Sequence, residues 1–150
     1  MLRLLHGDVG SGKTIVSFLA AINTINSGFQ VALMAPTEIL AKQHYNLAKK
    51  IFPQNFKVRM ISGKSDYKEK KETLKNLELH KIDIIIGTHA IFQKKVSFKK
   101  LGLIIIDEQH KFGVNQRKKL SDKGGINCDV LLMTATPIPR TLTMTMYGDM

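Results

Sequence analysis

A chain of 150 residues with 43% hydrophobic content is long enough to bury one sizeable core and short for two, so a single α/β domain spanning residues 1–150 is expected. With 23 Lys+Arg against 12 Asp+Glu, the net charge of +11 favours a polyanionic partner and makes nucleic acid the natural candidate, although a lysine excess beside many isoleucines also fits codon bias in an AT-rich genome. A single cysteine, Cys128, excludes a disulfide framework, the Cys/His spacing offers no zinc site, and no apolar run approaches the ~18 residues of a membrane span; a soluble protein of a reducing cytosol is expected.

The apolar run Leu2-Arg3-Leu4-Leu5 reads as a strand, and it feeds a glycine-rich stretch from Gly7 to Thr14. Ile15, Phe18, Leu19, Ile22 and Ile25 then recur at helical spacing until Asn26-Ser27-Gly28, where a glycine suits the helix end. Residues 31–35 read as a buried strand, and Pro36-Thr37 leads into a helix whose apolar stripe is Leu40, His44, Leu47, Ala48 and Ile51, stopped at Pro53. Residues 57–61 alternate like a strand. Residues 65–79 form a mixed-charge helix with Tyr67, Leu74 and Leu77 as its thin apolar side.

Residues 82–86, 103–106 and 130–133 are continuous aliphatic runs, too uniformly apolar for a one-sided sheet, and read as central parallel strands. Pro137 and Pro139 force extended backbone before a short helix over 139–147 that Gly148 caps. Strands alternating with helices predict a doubly wound, mostly parallel sheet with helices on both faces and its working loops at the carboxyl ends of the strands. A strand feeding such a loop is normally interior to its sheet, so a chain that starts on it and stops after a short helix is expected to be a piece of something longer.

Gly7-Asp8-Val9-Gly10-Ser11-Gly12-Lys13-Thr14 fills the phosphate-cradling pattern in its strand-loop-helix setting. Glycines let backbone N–H groups point at phosphate oxygens, and the following helix adds its positive end. Lys13 supplies a movable charge for the β and γ phosphates of a nucleotide, and Thr14 a hydroxyl for Mg²⁺. The strand ending in Asp107-Glu108 lies 94 positions later (107 minus 13). Asp107 is expected to emerge beside the phosphate loop and hold Mg²⁺ with Thr14, while Glu108 orients or deprotonates the attacking water. A plain tight turn and an exposed acidic strand end are the bland alternatives; their order and separation argue against both at once.

Residues 107–114 (Asp-Glu-Gln-His-Lys-Phe-Gly-Val), 133–142 (Met-Thr-Ala-Thr-Pro-Ile-Pro-Arg-Thr-Leu) and Tyr147-Gly148-Asp149 together resemble the first, RecA-like motor lobe of the RecG family, bacterial branch-migrating DNA helicases of superfamily two built on a P-loop NTPase fold. The likeness spans essentially the whole chain. The transcription-repair coupling factors share several of these segments but usually read Asp-Glu-Glu-Gln where this chain has Asp107-Glu108-Gln109-His110; Lys111, commonly Arg in RecG, is a departure that keeps the charge.

The resemblance implies that Pro36 and Thr37, and then Thr88 and His89, touch the DNA backbone, contacts that grip phosphates without reading bases. It implies that Thr134 and Thr136 relay the nucleotide state, with Gln109 and His110 close to the γ-phosphate and Arg140 a further candidate for that junction. Taken alone, Pro36-Thr37 could simply start a helix, Thr88-His89 could cap one, and the two threonines could be a polar strand end. Basic turns at Lys94, Lys95, Lys99 and Lys100, and at Arg117, Lys118, Lys119 and Lys123, are either solvated faces or nucleic-acid contacts. The implied partners are branched DNA and, in the parent chain, a wedge domain and a second motor lobe; a monomer in the bacterial cytoplasm is expected. A polymerase-remodelling translocase and a nucleotide-dependent binding module without turnover are the competing readings.

Overall fold

The computed structural model describes residues 2–6, 11–92, 96–107 and 128–134. Among these residues six strands form one sheet: β1 (Leu2–His6), β2 (Gln30–Met34), β3 (Val58–Ile61), β4 (Ile84–Gly87), β5 (Leu101–Asp107) and β6 (Asp129–Thr134). Their order is β1-β6-β5-β2-β4-β3, and every neighbouring pair is parallel. Helices α1 (Ser11–Asn26), α2 (Glu38–Ile51) and α3 (Tyr67–Glu78) make the crossovers, with a 3-10 turn over His89–Phe92 between β4 and β5.

The aliphatic runs are apolar throughout because both faces of the sheet are covered. Along β2, Val31, Leu33 and Ala35 enter one core with Phe18 and Ala21 of α1 and Ala41 and Ala48 of α2. Ala32 and Met34 enter a second core on the opposite face, with Leu77 of α3 and Ile91 of the 3-10 turn. The same alternation divides β4, β5 and β6, as the two-residue period of a strand requires.

Helix ends follow local chemistry. Thr37 caps α2 by accepting the Leu40 N–H at 3.2 Å, and Asp66 caps α3 by accepting the Lys68 N–H at 3.0 Å. At the end of α1, Gly28 adopts φ 93°, with Phe29 N–H bonded to Thr24 O and Gly28 N–H to Ile25 O, the paired bonds of a Schellman motif. At the end of α3 the same pair of bonds, Lys81 to Asn76 and His80 to Leu77, puts His80 at φ 59° where glycine is usual.

Three expectations from periodicity need correction. On α1, Phe18 and Ala21 are buried, but Ile15 and Leu19 face outward, Leu19 at 60% exposure, because the helix rests on the sheet along a narrower stripe. On α2 the buried positions are Ala41, His44 and Ala48, and Ile51 is exposed at the last turn. On α3, Tyr67 is the first helical residue and 78% exposed, ahead of the point where the helix meets the sheet. The helix expected over 139–147 and its Gly148 cap lie outside the described residues.

Candidate nucleotide and nucleic-acid site

In a parallel sheet every strand delivers its carboxyl end to the same rim, and here that rim collects the candidate residues. Across the sheet in order come His6 of β1, from which the chain leads to α1; Thr134 at the end of β6; Asp107 at the end of β5; Met34 of β2, followed by Pro36 and Thr37; Gly87 of β4, followed by Thr88 and His89; and Ile61 of β3, followed by Ser62. Asp107 pairs in register with Met133, and Met133 with Leu5, so the Asp107 carboxylate stands level with the end of β1. β6 lies between β1 and β5, which separates Asp107 from β1 by about 10 Å, two strand spacings. Thr134 therefore closes the strand between the phosphate-loop side and Asp107.

Gly12, Lys13 and Thr14 lie in the first turn of α1, with Ser11 as its first residue. Gly12 is exposed and Lys13 and Thr14 are half-buried, while the Thr14 carbonyl accepts the Ser17 hydroxyl at 2.7 Å. The helix thus presents its N-terminal N–H groups, a lysine and a threonine at the rim. Gly7, Asp8, Val9, Gly10, Glu108, Gln109, His110, Thr136 and Arg140 lie outside the described residues. So do Lys94, Lys95 and the basic run 117–123; Lys99 and Lys100 are exposed.

Strand parity decides where Asp107 points. Leu103 and Ile105 face the core shared by α1 and α2, and Asp107, two positions on, continues that face. There its Oδ2 lies 2.6 Å from His44 Nε2 of α2, with the side chains 14% and 9% exposed respectively. An ionised carboxylate only accepts, so the bond places a proton on Nε2. The His44 ring also meets the Phe18 edge, centroids 6.5 Å apart, and so sits among α1, α2 and β5. Sequence reading placed His44 in an apolar stripe and missed this pairing. The available signal was a titratable ring at a buried helical position, between Ala41 and Ala48, which demands a polar partner.

On the other half of the rim, Thr37 is exposed and Pro36 half-buried, while Thr88 is half-buried and its carbonyl accepts the Ile91 N–H at 3.3 Å. His89 opens the 3-10 turn and is exposed. Thr37 does cap a helix, so the bland reading of that residue holds, and its exposure at a helix N-terminus leaves it accessible to a phosphate as well. Glu38, which follows the cap, joins this half to the loop after β3: its Oε1 accepts from Ser62 Oγ at 3.1 Å and from the Gly63 N–H at 2.6 Å. Candidate nucleotide residues and candidate backbone-contact residues thus occupy adjoining halves of one rim, with the Asp107–His44 pair at their border.

Thr14 and Asp107 fit a magnesium ion by donor chemistry: a hydroxyl and a carboxylate are hard oxygen ligands, both at the rim. Among the described residues no group of three or more His, Cys, Asp or Glu could hold a metal ion. No helix among the described residues is long and apolar enough to cross a membrane.

Comparison with known proteins matches residues 3–145 to the DEAD/DEAH box helicase family. The chain is 55% identical over 150 residues to the ATP-dependent DNA helicase RecG of Streptococcus pneumoniae serotype 4, covering 100% of this chain and 22% of that protein. It is 51% identical over 154 residues to RecG of Escherichia coli K12, with the same coverage of 100% and 22%. Among solved structures, that of RecG bound to a three-way DNA junction superposes with a TM-score of 0.83 at 47% identity, over 98% of this chain and 20% of that one. The Pyrococcus furiosus Hef helicase domain shares the fold, with a TM-score of 0.72 at 20% identity over 96% of this chain and 31% of that one. The chain therefore spans 22% of the length of these curated relatives. Because the family match runs from residue 3 to residue 145, nearly end to end, this chain belongs to the DEAD/DEAH box helicase family.

Proposed function

We propose that the chain is the ATP-binding motor lobe of a RecG-type DNA helicase, which uses ATP hydrolysis to remodel branched DNA. The observation that carries this reading is the shared rim: the start of α1, Asp107, Thr37 and Thr88 all stand at the carboxyl ends of one parallel sheet. Identity of 49–55% over the whole of this chain to several bacterial RecG proteins supports RecG over the transcription-repair translocases.

In this reading residues 7–14 wrap the triphosphate, with Lys13 balancing its charge. Thr14 and Asp107 would hold Mg²⁺; Oδ2 of Asp107 is bonded to His44, and Oδ1 is the oxygen that would meet a metal-bound water. When bound, the cation would neutralise charge on the β and γ oxygens. Glu108, directly after the Asp107 strand end, orients and deprotonates the attacking water, and Gln109, His110, Thr134 and Thr136 carry the nucleotide state toward the DNA side. Thr37 and Thr88, with Pro36 and His89 beside them, contact the DNA backbone through hydroxyls and helix-terminal N–H groups. A second motor lobe and a wedge domain of the parent chain complete the machine, which acts as a monomer in the bacterial cytoplasm. Arginines from the second lobe supply about 10³ to 10⁵ in rate, so the isolated 150 residues bind nucleotide weakly and scarcely hydrolyse it.

The test is made in the full-length protein. Lys13→Ala and Glu108→Gln are each expected to lower DNA-stimulated hydrolysis and three-way-junction unwinding by roughly 10² or more, with Glu108→Gln still binding nucleotide. Unwinding that survives Lys13→Ala would overturn the proposal.

A further inference from the structure

A buried imidazole needs a polar partner, and here that partner is a carboxylate at the end of a strand. His44 is 7% exposed and flanked on its helix by the buried small residues Ala41 and Ala48. It carries the Nε2–H that bonds Asp107 Oδ2 at 2.6 Å. Three elements meet at this ring: β5, which ends in Asp107; α1, which carries Lys13 and Thr14 in its first turn and meets the ring through Phe18; and α2, which Thr37 caps. From Thr37 to His44 is seven residues of capped helix (44 minus 37), about 10 Å of rigid axis.

We propose that His44 is a positioning residue that fixes the Asp107 carboxylate for magnesium and transmits displacement of α2, when backbone phosphates engage Thr37, to the nucleotide site. This rests on the reading of Asp107 as the magnesium carboxylate. The bond holds Oδ2 and thereby orients Oδ1 toward the rim, the office that outer-shell hydrogen bonds perform for metal ligands, where their loss typically costs 10- to 100-fold in metal affinity. Because α2 moves as a unit, a shift at its N-terminus is carried to Nε2, and the effect is reciprocal: DNA alters affinity for magnesium nucleotide by the same factor that magnesium nucleotide alters affinity for DNA. Glu38, one residue beyond the cap, ties the loop after β3 into the same body.

The experiment measures binding without turnover. In the full-length protein, equilibrium binding of a fluorescent ADP is followed against Mg²⁺ concentration, with and without a three-way DNA junction, for wild type, His44→Gln and His44→Met. Gln keeps an N–H donor at similar reach; Met fills similar volume with none, and His44→Leu takes its place should Met fail to fold. The donor-free variant is expected to raise the Mg²⁺ concentration for half-saturation by about 10-fold or more and to abolish the effect of the junction on nucleotide affinity, while Gln stays close to wild type in both. A donor-free variant that matches wild type, or a Gln variant as impaired as Met, would overturn the inference. Asp107→Asn separates the two layers: if it destroys the Mg²⁺ dependence while Met leaves it intact, only the role of His44 falls, whereas an Asp107→Asn protein with normal Mg²⁺ dependence removes the reading beneath it.

Discussion

Glu38 Oε1 accepts the Gly63 N–H at 2.6 Å, so the first turn of α2 holds the loop that leaves β3. The same oxygen takes the Ser62 hydroxyl at 3.1 Å, and the carboxylate also sits favourably at the positive end of its helix. Glu38→Ala is expected to lower unfolding stability by about 1 kcal/mol, the scale of a charge-assisted bond at a partly solvated site, and to weaken duplex DNA binding at fixed salt by freeing the loop. Glu38→Gln, which keeps the acceptor, should lose less of both. Denaturant melts and fluorescence anisotropy check this; an Ala variant equal to wild type in both would count against the tether.

Gln30 is fully buried at the start of β2, and every face of its carboxamide is used. Its Nε2 donates to Leu77 O at 3.0 Å and Ile82 O at 2.9 Å, and its Oε1 accepts the Lys100 N–H at 2.9 Å, joining α3, the approach to β4 and the entry to β5. Gln30→Leu keeps the volume but takes the carboxamide from Ile82 O and the Lys100 N–H, while Leu77 O keeps the His80 N–H at 3.2 Å. Each uncompensated buried group costs about 1–3 kcal/mol, so a loss of roughly 2 kcal/mol or more in urea unfolding is expected, with the rim at the strands' carboxyl ends unaffected once the protein is folded.

Two glycines answer to different masters. Gly102 sits where the β2–β5 register shifts between Gln30 and Val31, and a Cβ there would lie 2.6 Å from the Phe29 Cβ. Gly102→Ala must push that backbone apart and is expected to cost about 1–3 kcal/mol. A Cβ at Gly12, by contrast, meets nothing within 4 Å among the described residues beyond its own helical turn. Gly12→Ala should therefore leave the melting temperature unchanged or raise it, since alanine suits a helix, yet weaken nucleotide binding by blocking close approach of phosphate. Calorimetric melting beside nucleotide titration separates the two; a Gly12→Ala protein that binds nucleotide normally would contradict the phosphate-loop assignment.

Burial, with a lesser contribution from the Asp129 charge, pushes the Cys128 thiol from 9.0 to about 11. A group whose folded value lies above its unfolded one stabilises the fold below the unfolded value and loses that contribution as pH rises through the folded one. Cys128 therefore supports the fold fully below pH 9, and its support fades from pH 9 to about 11. The melting-temperature advantage of wild type over Cys128→Ser should shrink across that window. Native protein at pH 8 should resist iodoacetamide and react readily once unfolded; fast alkylation of the native thiol would argue against its burial.

Much of the fold was legible because parallel strands covered on both faces must be apolar at every position. The runs 82–86, 103–106 and 130–133 announced three of the six strands, and Gly28 and Pro53 marked where two helices end. Periodicity overstated the buried faces of α1, α2 and α3, where Leu19, Ile51 and Tyr67 are exposed, because spacing reports a helical stripe and not how much of it the sheet reaches. The site was legible to the extent that Lys13, Thr14, Asp107, Thr37 and Thr88 each follow or end a strand, which in a parallel sheet assigns them to one rim.

Sequence alone thus determined the strand and helix types, the family resemblance and the rim on which the candidate residues gather, since these depend on local pattern and on the direction of the chain. Tertiary structure decided the strand order, which inserts β6 between β1 and β5, and the pairing of His44 with Asp107 across 63 positions. Neither has a local signature. Strand order is fixed by how the two cores fill, and a buried imidazole reveals its partner only when the helix and the strand that carry the two groups are packed together.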